Sequence, residues 1–185
     1  NQRIYILFLV LSFGFVSCHR AAIPRAYGYF RISTPAHTYH RLQGYPFSFD
    51  VSDHARIVEV ENGFDIHYSC LNADIHCSNK AVNGNLGGLT DDAINFVYKH
   101  VQQASAIPER EYTDEANNVY GVYFRLQGNT ASPHQFFVTD SVHYFFRGAA
   151  YCYCHPNADS LAPIIDYLGE DILHLMETFR WVSPD

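Results

Sequence analysis

Residues 63–80 read GFDIHYSCLNADIHCSNK, and this stretch decides the class of fold. Apolar and polar side chains alternate on both sides of Leu71-Asn72, which is typical of strands with one buried face. We therefore predict a β-hairpin with a two-residue turn at Leu71-Asn72. Counting by two separates an apolar face from a polar face: Phe64, Ile66, Tyr68, Cys70, Ala73, Ile75 and Cys77 against Asp65, His67, Ser69, Asp74, His76 and Ser78.

The predicted turn would place His67 opposite His76, which raises the question of a metal site. Two histidines without an evident third ligand are more often solvated cross-strand neighbours. We therefore predict no metal and no cofactor.

Further strands are indicated on both sides of the hairpin. The segments 28–33 (GYFRIS), 47–51 (FSFDV) and 55–61 (ARIVEVE) alternate like strands, and residues 34–46 form a connection interrupted by prolines. Three more segments, 119–127, 134–139 and 143–154, are joined by short turns and predict a meander.

A first helix is predicted after the loop 83–88. Thr90 is its expected cap, two aspartates occupy its first turn, and Pro108 marks its end. The expected buried stripe consists of Ile94, Val97, Val101 and Ala104.

The strongest periodic signal lies near the end of the chain. Asp159 or Ser160 is the expected cap of a long helix, with Pro163 in its first turn. The apolar positions recur every three and four residues: Leu161, Ile164, Ile165, Leu168, Ile172, Leu175, Met176 and Phe179. Asp166, Glu170, His174 and Glu177 are assigned to solvent.

These elements predict an α+β fold, an antiparallel β-sheet with packed helices in the order strands, helix, meander, helix. The order of elements resembles the PsbP/Mog1 type of sandwich. That likeness concerns the fold only and carries no function.

The first residues resemble a bacterial lipoprotein signal. Arg3 precedes the apolar run 4–16, which is too short for a membrane span but typical of a signal peptide. Ser17 and Cys18 follow as a lipobox would, which implies cleavage before Cys18 and a diacylglyceryl group with palmitate-type acyl chains on its thiol. The alternative is an ordinary secretory signal cut near Ser17. Because the chain starts with Asn1 rather than Met, we also expect it to be clipped at the front.

We therefore expect a signal peptide at 1–17, a lipid-anchored tether at 18–26 and a single α+β domain at 27–185. The chain has 12 basic and 19 acidic residues, and loss of the signal peptide would change its net charge from −7 to −8. An acidic protein is a poor partner for nucleic acid or for an anionic membrane surface. Membrane attachment is expected through the lipid alone.

Four cysteines besides Cys18 leave two alternatives open, disulfides or free thiols. They are Cys70, Cys77, Cys152 and Cys154. Cys152 and Cys154 lie two apart on a predicted strand and would point to the same face, so they are badly placed to bond each other. Their spacing does not fit zinc.

Residues 128–141, GNTASPHQFFVTDS, combine hydroxyl groups with a histidine. A hydrolase would use Ser132 or Thr130 as nucleophile and His134 as base. No nucleophile elbow is present, and neither a phosphate-binding loop nor a zinc-protease motif occurs elsewhere. We predict that the chain is not an enzyme.

A tight turn between two strands explains the same residues, since Gly128-Asn129 is typical of hairpin connections. Its polar groups could also meet a partner protein. The candidate interaction loop consists of Asn129, Thr130, Ser132, His134 and Gln135. Tyr120, Tyr123 and Tyr144 are either interface anchors or core residues.

Several long strings in the chain resemble the gliding motility lipoprotein GldD family of Bacteroidetes-type cell envelopes. They are GYFRIS (28–33), DIHYSCLNADIHCSNK (65–80), DDAINFVYKHVQQASAI (91–107), NNVYGVYFRLQGNTASPHQFFVTDSVHYFFRGAAY (117–151) and PNADSLAPIIDYLGEDILHLMETFRW (156–181). The likeness covers nearly the whole chain after Cys18.

This resemblance implies an accessory lipoprotein of the gliding machinery, which is linked to type IX secretion. It implies protein partners from that machinery and no catalytic residues. No acidic residue follows Cys18 directly, so we expect an outer-membrane anchor with the domain facing the periplasm. The four other cysteines are not characteristic of the family, which therefore gives no support to a disulfide.

Three hypotheses remain: a lipid-anchored accessory protein that binds other proteins, a periplasmic small-ligand or glycan-binding module with aromatic residues in a groove, and the hydrolase described above. We favour the first.

Overall fold

The structure is a computed structural model that describes residues 32–99, 102–155 and 157–182. The predicted signal peptide at 1–17, Cys18 and the tether at 18–26 lie outside these residues. So does most of the strand predicted at 28–33, whose last two residues, Ile32 and Ser33, are described and are not in a strand.

Twelve strands and two α-helices follow one another in the described residues. They are β1 (Tyr39–Leu42), β2 (Phe47–Ser52), β3 (Arg56–Val60), β4 (Gly63–Tyr68), β5 (Ala73–Ala81), α1 (Leu86–Tyr98), β6 (Ala104–Ala106), β7 (Glu109–Asp114), β8 (Val119–Arg125), β9 (Gln127–Gly128), β10 (His134–Thr139), β11 (Tyr144–Cys152), α2 (Ala158–Thr178) and β12 (Arg180–Trp181). A 3₁₀ turn, Glu115–Asn117, joins β7 to β8.

The strands of the described residues form three sheets, and all their pairings are antiparallel. The largest has seven strands in the order β3-β4-β5-β11-β10-β8-β7; β1-β2-β12 and β6-β9 form the smaller two. The predicted α+β class with antiparallel sheets and packed helices is confirmed at this level. So is the meander, because β8, β10 and β11 are neighbours in sheet order.

The β4–β5 hairpin is present, but its predicted turn is wrong. Tyr68 pairs with Ala73, so four residues rather than two form the connection. The faces are as predicted along both strands, yet His67 lies opposite Asp74, not His76. Cys70 lies exposed in the turn, whereas Leu71 is buried.

Helix α1 differs from its prediction at both ends. It begins at Leu86 after the cap residue Asn85, so Thr90 lies inside the helix, and it ends at Tyr98. Ala104 belongs to strand β6. The side chain of Val101 lies outside the described residues.

Helix α2 follows the predicted pattern closely. Its cap is Asn157 rather than Asp159 or Ser160, and the Asn157 side chain accepts a hydrogen bond from the amide of Ser160. Pro163 lies inside the helix, beyond its first turn. Among the described residues, neither helix combines the length and the apolar character needed to cross a bilayer.

Two hydrophobic cores lie on the two faces of the seven-stranded sheet. Helix α2 and strand β2 cover one face, where Phe47, Phe49 and Phe179 are buried together. Helix α1 covers part of the other face through Ala93 and Val97. Each fully buried aromatic side chain contributes about 1.5–3 kcal/mol to folding.

The four cysteines in the described residues are free thiols, so the disulfide alternative is not realised. Cys77 is buried, and burial raises the pKa of its thiol. Cys70 and Cys154 are exposed.

Candidate functional site

The structure places most of the predicted interaction loop inside the protein. Thr130, Ser132, His134 and Gln135 are buried, which corrects the expectation that they are exposed. Asn129 is exposed, and its Oδ1 accepts a hydrogen bond of 2.9 Å from the amide of Ala158 at the start of α2. The loop therefore fixes the position of this helix, and a partner could reach the side chain of Asn129 only.

His134 is held by hydrogen bonds at both ring nitrogens. Nε2 donates to the carbonyl of Ile165 at 2.7 Å, and Nδ1 accepts from the hydroxyl of Tyr123 at 2.7 Å. Burial lowers the pKa of His134 to about 4 and raises that of Tyr123 to about 12. Helix α2 can pack this closely on the imidazole of His134 because residue 169 is glycine. A Cβ at this position would lie 3.0 Å from Cε1 of His134.

These contacts do not support a catalytic role for the loop. A base must have a nitrogen free to take the proton of the nucleophile, and both nitrogens of His134 are occupied. The hydroxyls of Thr130 and Ser132 have no hydrogen-bond partner among the described residues. The hydrolase hypothesis therefore lacks the hydrogen bond between nucleophile and base on which it depends.

A second buried polar centre was not predicted. The carboxylate of Asp171, on α2, is 4% exposed and accepts three hydrogen bonds. The donors are Nδ1 of His37 at 2.7 Å and the hydroxyls of Tyr39 at 2.9 Å and Tyr68 at 2.8 Å. Nε2 of His37 lies 2.9 Å from the exposed Glu170.

The Asp171 centre joins three distant parts of the chain. Burial and the hydrogen bond to Asp171 raise the pKa values of both tyrosine hydroxyls, so Tyr39 and Tyr68 act as donors at neutral pH. His37 also stacks on Tyr167, with ring centroids 4.2 Å apart. The centre therefore fastens the segment before β1 to α2, which is a structural role.

Helix α1 covers only part of its face of the seven-stranded sheet. The uncovered part of this face is polar along β4 and β5 and apolar along the edge strand β3. Nδ1 of His76 donates to Asp65 at 2.6 Å, and His67 donates likewise to Asp74. The hydroxyl of Tyr153 donates to Nε2 of His76 at 3.2 Å.

Edge strand β3 continues this surface, since Val58 lies opposite Asp65 in the register. Three large side chains there are exposed: Val58 by 37%, Val60 by 46% and Tyr153 by 52%. We call the surface formed by Val58, Val60, Asp65, His76 and Tyr153 the outer hairpin face. It offers apolar contacts beside a strand edge that pairs with no other strand of the described residues.

A groove of about 540 Å³ opens at another part of the domain, beside strand β12. Tyr144 and Trp181 line it, and their rings stack with centroids 5.5 Å apart. The sequence left open whether Tyr120, Tyr123 and Tyr144 are core residues or interface anchors. Tyr123 is a buried core residue, whereas Tyr144 is partly exposed in the groove and Tyr120 is partly exposed on β8.

No group of three or more potential metal ligands is brought together in the part of the chain that the structure describes. His67 and His76 each use one ring nitrogen for a carboxylate, and each histidine–aspartate pair supplies only two potential ligands.

Comparison with known proteins gives one family. No curated protein matches the chain. Residues 19–181 of the 185-residue chain match the family described as gliding motility lipoprotein GldD, and the described strands, helices and both buried polar centres fall within this range. The match spans far more than half of the sequence, and the chain therefore belongs to the gliding motility lipoprotein GldD family.

Proposed function

We propose that the protein is a lipid-anchored accessory component of the gliding motility and type IX secretion machinery that acts by binding other proteins of that machinery. The observation that carries the proposal is the outer hairpin face, where Val58 and Val60 are exposed on β3, an edge strand among the described residues, and Tyr153 is exposed beside His76 of β5. Family membership supports the link to gliding motility.

The edge of β3 determines the kind of contact that we propose. β3 is the outermost strand of the seven-stranded sheet, so one side of its backbone has no partner strand among the described residues. An extended segment of a partner protein can add a strand to such an edge through main-chain hydrogen bonds. Val58 and Val60 would then provide side-chain contacts on the same face, because they lie two residues apart.

The matched experiment compares the two edges of the sheet. Lysine on an edge strand opposes strand addition, so Val58→Lys should weaken partner binding. Thr113→Lys places the same charge on β7, the opposite edge, where Thr113 is exposed, and serves as the control. We expect Val58→Lys to reduce gliding and type IX secretion, with normal protein levels, while Thr113→Lys leaves both unchanged.

Photo-crosslinking in intact cells identifies the partner. A photoreactive residue at position 60 should capture a gliding or type IX secretion protein, and one at position 113 should not. Equal capture at both positions, or normal gliding and secretion by cells that lack the gene, would contradict the proposal.

We also propose the anchor and its location. Residues 1–17 would be removed, Cys18 would carry the lipid, 18–26 would be the tether, and the domain at 27–185 would face the periplasm from the outer membrane. Mass spectrometry of the membrane-extracted protein should find an acylated Cys18, and Cys18→Ala should release the protein from membranes. Digestion of the protein by protease added to intact cells would contradict the periplasmic orientation.

The PsbP/Mog1-like sandwich remains a prediction about the fold. Superposing the two helices and the seven-stranded sheet on members of that fold would test it.

A further inference from the structure

The groove beside β12 has the volume of a ligand site and shares no residue with the outer hairpin face. Its walls come from the 3₁₀ turn 115–117, the bend after β10, the start of β11 and strand β12. Its volume of about 540 Å³ lies within the usual range of roughly 300–1,000 Å³ for small-molecule sites.

The apolar wall is an aromatic platform. The rings of Tyr144 and Trp181 are 5.5 Å apart and inclined by only 16°. Nε1 of Trp181 donates to the carbonyl of Asn118 at 3.0 Å. The rings of Phe179 and Trp181 pack edge to face, with centroids 4.7 Å apart. Since the one polar atom of the indole is satisfied, the ring can offer a ligand only its apolar surface.

Among the described residues, the groove lining has one carboxylate, Asp140, and no lysine or arginine. Oδ1 of Asp140 accepts from the amides of Val142, His143 and Tyr144 at 2.7–3.0 Å. Its Oδ2 lies 3.1 Å from Nδ1 of His143. Burial raises the pKa of Asp140, but these donors outweigh burial and lower the pKa, and they occupy both carboxylate oxygens.

Amide groups remain for a ligand. Asn117 uses its Nδ2 on Asp114 at 2.7 Å, which leaves its carbonyl oxygen. Asn118 is exposed and has a left-handed backbone with φ +51°. Its backbone carbonyl accepts the hydrogen bond from Trp181, so its side-chain amide remains as both a donor and an acceptor for a ligand.

An aromatic platform opposite neutral amides fits a ligand with an apolar face and many hydroxyl groups. We propose that this groove binds a neutral oligosaccharide, with a pyranose ring on Tyr144 and Trp181 and its hydroxyls hydrogen-bonded to Asn117 and Asn118. The C–H groups of a pyranose face the aromatic rings. Both oxygens of Asp140 are already hydrogen-bonded, and no lysine or arginine among the described lining residues offers a counter-ion to an anionic ligand.

The chain contains a single tryptophan, so its fluorescence reports on the groove directly. The purified full chain is first applied to an array of neutral and anionic oligosaccharides. The neutral sugars that bind, and an anionic control such as oligogalacturonate, are then titrated while Trp181 emission is recorded. We expect a saturable change in emission with the neutral sugars and none with the anionic control.

Two variants locate the binding. Asn118→Gly removes the amide but keeps the left-handed backbone, and it should weaken binding about five- to tenfold. Tyr98→Ala removes an exposed tyrosine at the end of α1, outside the groove, and should leave binding unchanged. Circular dichroism checks that both variants are folded.

Three outcomes would overturn the proposal: binding of no neutral oligosaccharide, preference for anionic sugars, or equal affinity of Asn118→Gly and the unchanged protein. Capture of a peptide segment by a photoreactive residue at position 142, without any response to sugars, would make the groove a protein-docking site instead.

Discussion

Replacing Gly169 by Ala tests how closely helix α2 packs on the buried His134. The added Cβ would lie 3.0 Å from Cε1 and 3.2 Å from Nε2 of the imidazole, and 3.1 Å from the hydroxyl of Tyr123. All three distances are shorter than ordinary van der Waals contacts. The helix or the imidazole must therefore move, although the same substitution favours helix formation.

The two effects can be compared in free energy. Alanine gains about 1 kcal/mol over glycine inside a helix. Overpacking a core costs about 1–3 kcal/mol, and weakening the buried hydrogen bond from His134 to Ile165 costs about 1–3 kcal/mol more. The net loss should therefore be roughly 1–5 kcal/mol, which lowers Tm by about 3 °C for each kcal/mol.

Gly87→Ala provides a matched control, because position 87 lies in α1 and a Cβ there meets no atom within 4 Å. It should stabilise the protein by up to about 1 kcal/mol. Urea unfolding followed by circular dichroism measures both variants. A Gly169→Ala protein as stable as the unchanged protein, or more stable, would refute the packing described around His134.

Three further predictions concern the buried polar groups and a helix cap. Acidification from pH 7 to 4 should lower the free energy of unfolding by about 3 kcal/mol through His134, because this imidazole takes up a proton near pH 6.5 in the unfolded chain and only near pH 4 in the folded protein. Urea unfolding across this range should show that the stability of His134→Gln depends less on pH. Asp171→Asn should lose about 3 kcal/mol in the same assay, since a neutral amide with one oxygen replaces a charged acceptor with two. The exposed neighbour Glu170→Gln should change stability by less than about 0.5 kcal/mol. Asn157→Ala removes the cap of α2 and should lower Tm in thermal unfolding by an amount equivalent to about 1 kcal/mol; an unchanged Tm would count against the cap.

The parts of the fold with strong local periodicity could be predicted from sequence. The faces of β4 and β5 follow from alternation, and the buried side of α2 follows from its apolar spacing. The start of α1 could not be found, because Gly87 and Gly88 favour a loop locally and packing overrides this preference. Strand β7 is mostly exposed and charged, so it carries no apolar alternation.

The buried centres depend on contacts that a single sequence does not reveal. Asp171 accepts hydrogen bonds from residues more than 100 positions away. A local signal does exist, since Asp171 lies three residues after Leu168 and four before Leu175 and therefore falls on the buried stripe of α2. The polar residues of the turn at 128–133 predict a solvent-exposed loop. Two contacts hold the turn against the domain instead, the pairing of β9 with β6 and the hydrogen bond between Asn129 and Ala158.

Strand β2 lies between β1, near the beginning of the described residues, and β12, near their end. Phe47 and Phe49 therefore reach their native surroundings only after Phe179 has left the ribosome, because that ring covers both of them. Contacts so distant in sequence slow folding and leave apolar surface open while the chain is incomplete. A truncation before Phe179 should consequently yield an aggregation-prone product that quality-control proteases remove, even though every strand of the seven-stranded sheet is already present.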